Sequence, residues 1–231
     1  MKNLFLIMLV SISFDIFGQI HSIGIQAGVN LTNMTDVSYF SARKYRTGMT
    51  TGLNYEFLFP NKHSIEADIL YNQQGFKNKL NILNGYDMPT GKIDETKFYY
   101  DYLSLNIKVG YTFGHKFIGF VKIGVSPSLL LKAEKTYSTF DLDTNVTGNI
   151  TVNIKEYVSK YDFGGLIELG AGYMMHDKIE IFTSLLYKNG LAKFSNSIDY
   201  PNNHSWDNNK MRHYGFSISI GFNYKIPYNK I

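Results

Sequence analysis

Eight stretches of this chain alternate apolar and polar residues with a period of two, and that pattern limits the fold more than any other feature. A period of two belongs to strands with two unlike faces, whereas a helix repeats every 3.6 residues. In the first stretch Ile23, Ile25, Ala27, Val29 and Leu31 alternate with Ser22, Gly24, Gln26, Gly28 and Asn30. Met49, Leu53, Tyr55 and Phe57 then oppose Gly48, Gly52, Asn54 and Glu56; Ile65, Ala67, Ile69 and Tyr71 oppose Ser64, Glu66, Asp68 and Asn72. Leu103 to Tyr111, Phe117 to Leu129, Phe163 to Tyr173, Ile179 to Tyr187 and Phe216 to Tyr224 repeat the pattern. Short turns sit near Phe59–Lys62, Phe113–Lys116 and Met174–Asp177, and long polar loops at 32–44, 77–97, 132–160 and 190–211. Long and short connections take turns along the chain. In an up-and-down barrel with both termini at one end, this sends every long loop to the other end, an asymmetry that outer-membrane barrels share.

Alternation alone does not say which face meets water. A soluble barrel hides its apolar face inside, and a membrane barrel turns that face to lipid. The aromatic residues break the tie. The chain has 18 Tyr and 17 Phe. Tyr55, Phe57, Tyr111, Phe117, Tyr173, Phe222 and Tyr224 fall near the short turns, and Tyr71, Tyr99, Tyr100, Tyr102, Phe163, Tyr187 and Tyr214 near the long loops. Two such belts suit a bilayer, because amphipathic rings settle at headgroup level. Backbone groups in hydrocarbon must all pair within the protein, so an open sheet is not viable there. The expectation is an all-β chain, a closed antiparallel up-and-down transmembrane β-barrel of about eight strands. A soluble, ligand-holding barrel is the alternative.

If the apolar face looks outward, nine charged residues point into the barrel: Arg46, Glu56, Glu66, Asp68, Lys108, Lys122, Glu168, Glu180 and Lys188. Buried charges must pair. The acids and bases of this set nearly cancel, as an interior network requires. Two readings stay open for it, a polar plug that locks the barrel and a narrow ion path or small-ligand site.

Met1, Lys2 and Asn3 followed by an apolar run from Leu4 to Phe14 read as a signal peptide, residues 1–18, cut before Gln19. The barrel domain then occupies 19–231. No stretch reaches the roughly 20 apolar residues of a spanning helix. The chain has no Cys, which removes disulfides, thiolate metal sites and Cys nucleophiles. A net charge of +4 spread along the chain gives no footprint for nucleic acid. Gly85 to Lys92 has the wrong glycine spacing for a phosphate loop. Asp141, Asp143 and Asn145 open like a calcium loop but lack its Gly and closing Glu, Val146 and Val152 standing in those places. The six His are scattered without metal spacing. His213 and Ser217 share a strand face, the one pairing from which a lipid-modifying rim hydrolase is conceivable. No catalytic, metal or cofactor residue is expected.

Several segments resemble the outer-membrane β-barrel family of Bacteroidetes-type bacteria, often described as PorT-like: Gly24 to Leu31, Ile65 to Gly75, Tyr100 to Tyr111, Asp162 to Tyr173 and Leu186 to Leu191. The resemblance covers nearly all of the chain after residue 18. Its motifs are strand-and-glycine patterns that specify a fold and no reaction. It implies a non-enzymatic protein of the outer membrane, in contact with membrane lipid, with a structural or anchoring role or one of loop-mediated interaction, accessory to secretion or adhesion. External protein or glycan partners would meet the loops 32–44, 77–97, 132–160 and 190–211. A narrow small-solute channel and a lipid-modifying enzyme are the alternatives.

Overall fold

A computed structural model describes residues 20–35, 43–83, 89–140, 147–192 and 212–227. Among the described residues nine strands form: β1 (Ile20–Thr35), β2 (Arg43–Leu58), β3 (His63–Leu83), β4 (Pro89–Gly114), β5 (Phe117–Phe140), β6 (Thr147–Asn153), β7 (Tyr161–His176), β8 (Ile179–Gly190) and β9 (Arg212–Pro227). All pairings are antiparallel. Every strand but β6 lies between two partners, and β4–β5 together with β1–β9 close the ring. The barrel has eight strands; β6 is an extra one that pairs only with the far end of β5. Closure leaves the membrane-level strands with no free edge, as a bilayer demands.

The short turns lie at the same end as both ends of the described sheet, since Ile20 is opposite both Leu58 and Pro227. Gly114 shows why one of these turns needs glycine: its φ is +91°, and a Cβ there would meet the Phe117 carbonyl oxygen at 1.9 Å. Lys62 takes a left-handed φ of 68° in the Phe59–His63 turn.

The faces sort as a membrane requires. Ile25, Ile123 and Ile220 are 58%, 56% and 58% exposed on the outer wall, while Asp68 and Lys108 are 0% and 1% exposed inside. A soluble barrel would show the reverse, with these isoleucines in a dry centre. Register is held tightly, because a slip of one residue would turn every inward charge to lipid.

Two of the expected long loops are strand instead. Segment 77–97 continues β3 to Leu83 and returns as β4 from Pro89, and much of 132–160 is the upper part of β5 and β6. Together β3, β4, β5 and β6 form a four-stranded platform beyond the barrel rim. The period of two persists there with its sense inverted. At membrane level Ile65, Ile69, Leu105 and Ile107 look out. Above it Phe76, Phe98, Tyr100 and Ala133 look toward the barrel axis, and Lys77, Lys97, Tyr99 and Glu134 look away. The inversion marks where the outer surface passes from lipid to water. Tyr100 and Tyr102, expected in the aromatic belt, are buried for this reason. With Met34, Phe76, Leu130, Ala133 and Val158 they form an apolar roof over the barrel mouth. The described parts of 32–44 are strand ends, and those of 190–211 are the last residue of β8 and the two that follow it; 36–42 and 193–211, like residues 1–19, 84–88, 141–146 and 228–231, lie outside the described residues.

Candidate functional site

The lumen is layered. At the end with the short turns Ile118, Phe120 and Phe182 make an apolar floor, with Phe120 and Phe182 edge to face at 6.3 Å. Both rings stand in space left by glycines. A Cβ on Gly170 would lie 2.0 Å from the Phe120 ring, and one on Gly221 2.5 Å from Phe182. Beside the floor Lys225 pairs with Glu180 at 2.8 Å.

Above the floor comes the ionic layer. Lys122 lies 2.7 Å from Glu56 and also pairs with Glu66; its ammonium sits 4.4 Å over the Phe120 ring. Lys108 is held by Glu66 at 2.6 Å, Asp68 at 2.8 Å and Glu168 at 2.6 Å. Asn106 donates to Asp68 at 3.3 Å. These groups come from β2, β3, β4, β5 and β7, so the layer ties more than half the barrel wall together across its axis. Desolvating so many charges offsets much of their attraction, and removing a single partner strands the others.

Higher still, Lys188 bridges Asp162 at 3.2 Å and Ser128 at 3.1 Å, and Ser128 bonds Ser104 at 2.8 Å. Ser217 donates to Asn30 at 2.6 Å, while His213 packs edge-on against Tyr100 and Tyr102 at the roof.

Eight of the nine charges named from the sequence thus lie along the lumen. Arg46 is the exception. It is buried at the rim, where its guanidinium donates to the Gln74 carbonyl and stacks 4.3 Å from the Tyr99 ring, with no carboxylate in salt-bridge range among the described residues. The bulge that shifts β2 against β3 between Tyr45 and Thr50 carries it away from the axis. Two partners escaped the sequence reading, Asp162 and Lys225. Each shares the inward phase of its strand, Asp162 with Glu168 and Lys225 with Asn223, so extending the alternation to the strand ends would have found them.

Little space remains. Among the described residues a cavity of about 40 Å³ lies above the ionic layer, lined by Asn30, Asn72, Asn106, Ser126 and Ser184, and one of about 10 Å³ lies below it beside Lys122. A water molecule needs roughly 10–15 Å³, so the upper cavity has room for a few waters and the lower for about one. Glu168 borders both, and the carboxylates around Lys108 stand between them. Segments Gly85–Lys92 and Asp141–Asn145 contribute nothing to this picture, since they lie wholly or largely outside the described residues.

The family model described as outer membrane protein beta-barrel domain matches residues 17–196. The chain belongs to this family. As an outer-membrane β-barrel it meets lipid along its apolar wall and resides in the outer membrane. Among solved structures it is similar to Ail, the attachment invasion locus protein of Yersinia pestis, at 11% identity over 88% of this chain and 98% of that one, with a TM-score of 0.39. Neisserial surface protein A shows 10% identity over 90% and 97%, with a TM-score of 0.40. The N-terminal β-barrel domain of Pseudomonas aeruginosa OprF shows 10% identity over 89% and 97%, with a TM-score of 0.39. None of the curated proteins matches the chain.

Proposed function

We propose that this outer-membrane β-barrel is a closed, non-enzymatic anchor that works through contacts made by its β3–β6 platform, as an accessory to secretion or adhesion. One observation carries the reading. The lumen is blocked at three levels, by aromatic floor, ionic layer and apolar roof, while a four-stranded sheet is carried past the rim into water. A lumen blocked in this way favours the polar-plug role for Glu56, Glu66, Asp68, Lys108, Lys122, Glu168, Glu180 and Lys188 over an ion path. The PorT-like affiliation and export by the signal peptide 1–18 belong to the same proposal; they rest on the strand motifs and on the basic start followed by an apolar run. The deciding measurement is current through planar bilayers containing the purified protein. The proposal expects a silent membrane, and steady stepwise conductance would overturn it in favour of a solute channel. Mass analysis of the extracted protein should place its N-terminus at Gln19.

A further inference from the structure

We infer that the outward face of the platform binds a polyanionic glycan, one carrying phosphate or sulfate groups, along a row of donors that crosses five strands. The register assembles this row from residues far apart in sequence. Lys44 is opposite Lys77, Lys77 opposite Lys97, Lys97 opposite Thr136, and Thr136 opposite Thr151. Three lysines thus occupy neighbouring register positions on β2, β3 and β4, and the row continues through two hydroxyls 2.9 Å apart on β5 and β6. At about 4.8 Å between strands it runs roughly 19 Å across the sheet.

Like charges directly opposite one another on neighbouring strands destabilise a sheet. Nearby acids relieve little of this. Glu95 is shared by Lys79 at 2.9 Å and Lys97 at 3.5 Å, and Glu134 is taken by Lys132 at 2.9 Å. Lys44 and Lys77 have no carboxylate within salt-bridge distance among the described residues. A chain of anionic sugars lying across the strands supplies the missing counter-charge, and the neighbouring Thr hydroxyls add hydrogen bonds.

Height above the membrane separates this ligand from lipid headgroups. From Tyr71, at the upper aromatic belt, to Lys77 is six residues along β3. At about 3.3 Å per residue and a tilt near 45°, the row stands roughly 14 Å above the belt. The headgroup region adds only about 5–7 Å per leaflet. Anionic sugars at this height have two sources, the oligosaccharide borne by the cell's own surface lipid and a glycan from outside.

The inference deepens the proposed interaction role and rests on it, but its test is separate from the conductance test. The protein is refolded in phosphatidylcholine vesicles, and binding is measured to dextran sulfate, to lipid-free phosphorylated core oligosaccharide and to uncharged dextran. Binding to either anionic probe, weakening as salt rises and absent for dextran, supports the site, and the stronger of the two identifies the source. The triple variant Lys44→Gln/Lys77→Gln/Lys97→Gln should lose about tenfold or more in affinity. It relieves repulsion, so it should keep the wild-type heat-shifted gel mobility. Lys135→Gln, on the opposite face, should bind as wild type. Equal binding by the triple variant, no preference for anionic probes, or loss of binding in Lys135→Gln instead would each overturn the inference. A silent bilayer combined with any of these failures leaves the closed-barrel reading standing.

Discussion

Replacing Lys122 with methionine removes one charge from the ionic layer while nearly preserving side-chain volume. In the native protein this ammonium is 5% exposed and serves Glu56 and Glu66 together. Its loss leaves Glu56 without its cation and makes Glu66 depend on Lys108 alone. Breaking a buried pair from one side costs about 3–5 kcal/mol, and a volume-conserving swap adds under about 1.5 kcal/mol. With a urea slope near 2 kcal/mol/M, the unfolding midpoint should fall by about 2 M. The control is Lys135→Met on the platform, where the ammonium lies 5.8 Å from the Phe98 ring and 5.6 Å from Tyr137 and is half-buried. Such cation–π contacts are worth about 0.5–1 kcal/mol, so its midpoint should move by under about 0.5 M. Folded fraction is read from heat-shifted gel mobility across a urea series in lipid vesicles. Adding Glu56→Gln to Lys122→Met should restore part of the loss, since it discharges the stranded partner. If the two single variants melt together, the ionic layer does not hold the barrel and the reasoning fails.

Further expectations follow from other levels of the lumen. Gly170→Leu should destabilise by about 1–3 kcal/mol because Phe120 fills the space above that glycine; adding Phe120→Ala should recover part of it, as read by the same urea series. Tyr102→Phe should be neutral or stabilising by up to about 1 kcal/mol, since the buried hydroxyl has no hydrogen-bond partner among the described residues; a clear loss of stability would place an unseen partner there. On the platform, the hydrogen bond from Lys79 holds the Glu95 carboxyl below the usual glutamate range. A lowered folded value means the pair stabilises at pH above that range and the contribution disappears as acid protonates Glu95 through its folded value. Lys79→Gln should raise the Glu95 titration midpoint seen by NMR, and an unmoved midpoint would show that the contact is not populated in solution. The contribution to stability should stay under about 1 kcal/mol, as for other partly exposed pairs.

The membrane-level strands were legible because one rule governs every position in them. Lipid outside and a crowded interior force the alternation that runs through Leu103–Tyr111 without a break and through Ile65–Tyr71 with Leu70 as its one departure, and both stretches are strand in the structure. Legibility fails where the rule changes. Phe76, Phe98 and Tyr100 are apolar in the inward phase, so a reading tuned to apolar-outward segments takes their surroundings for loop and their rings for belt. Leu70, Phe120 and Phe182 break the inner polarity for a different reason, namely that a narrow lumen needs bulk beside glycine as well as charge.

From the chain alone come the strand period, the short turns at one end and the inward phase of Glu66, Lys108 and Lys122, because each is a local consequence of the solvent a residue meets. Which acid serves which base, the exile of Arg46 to the rim, the roof over the mouth and the lysine row across β2, β3 and β4 emerge only on folding. They depend on register and on one bulge in β2, quantities set by the whole closed ring, and no local stretch of sequence contains them.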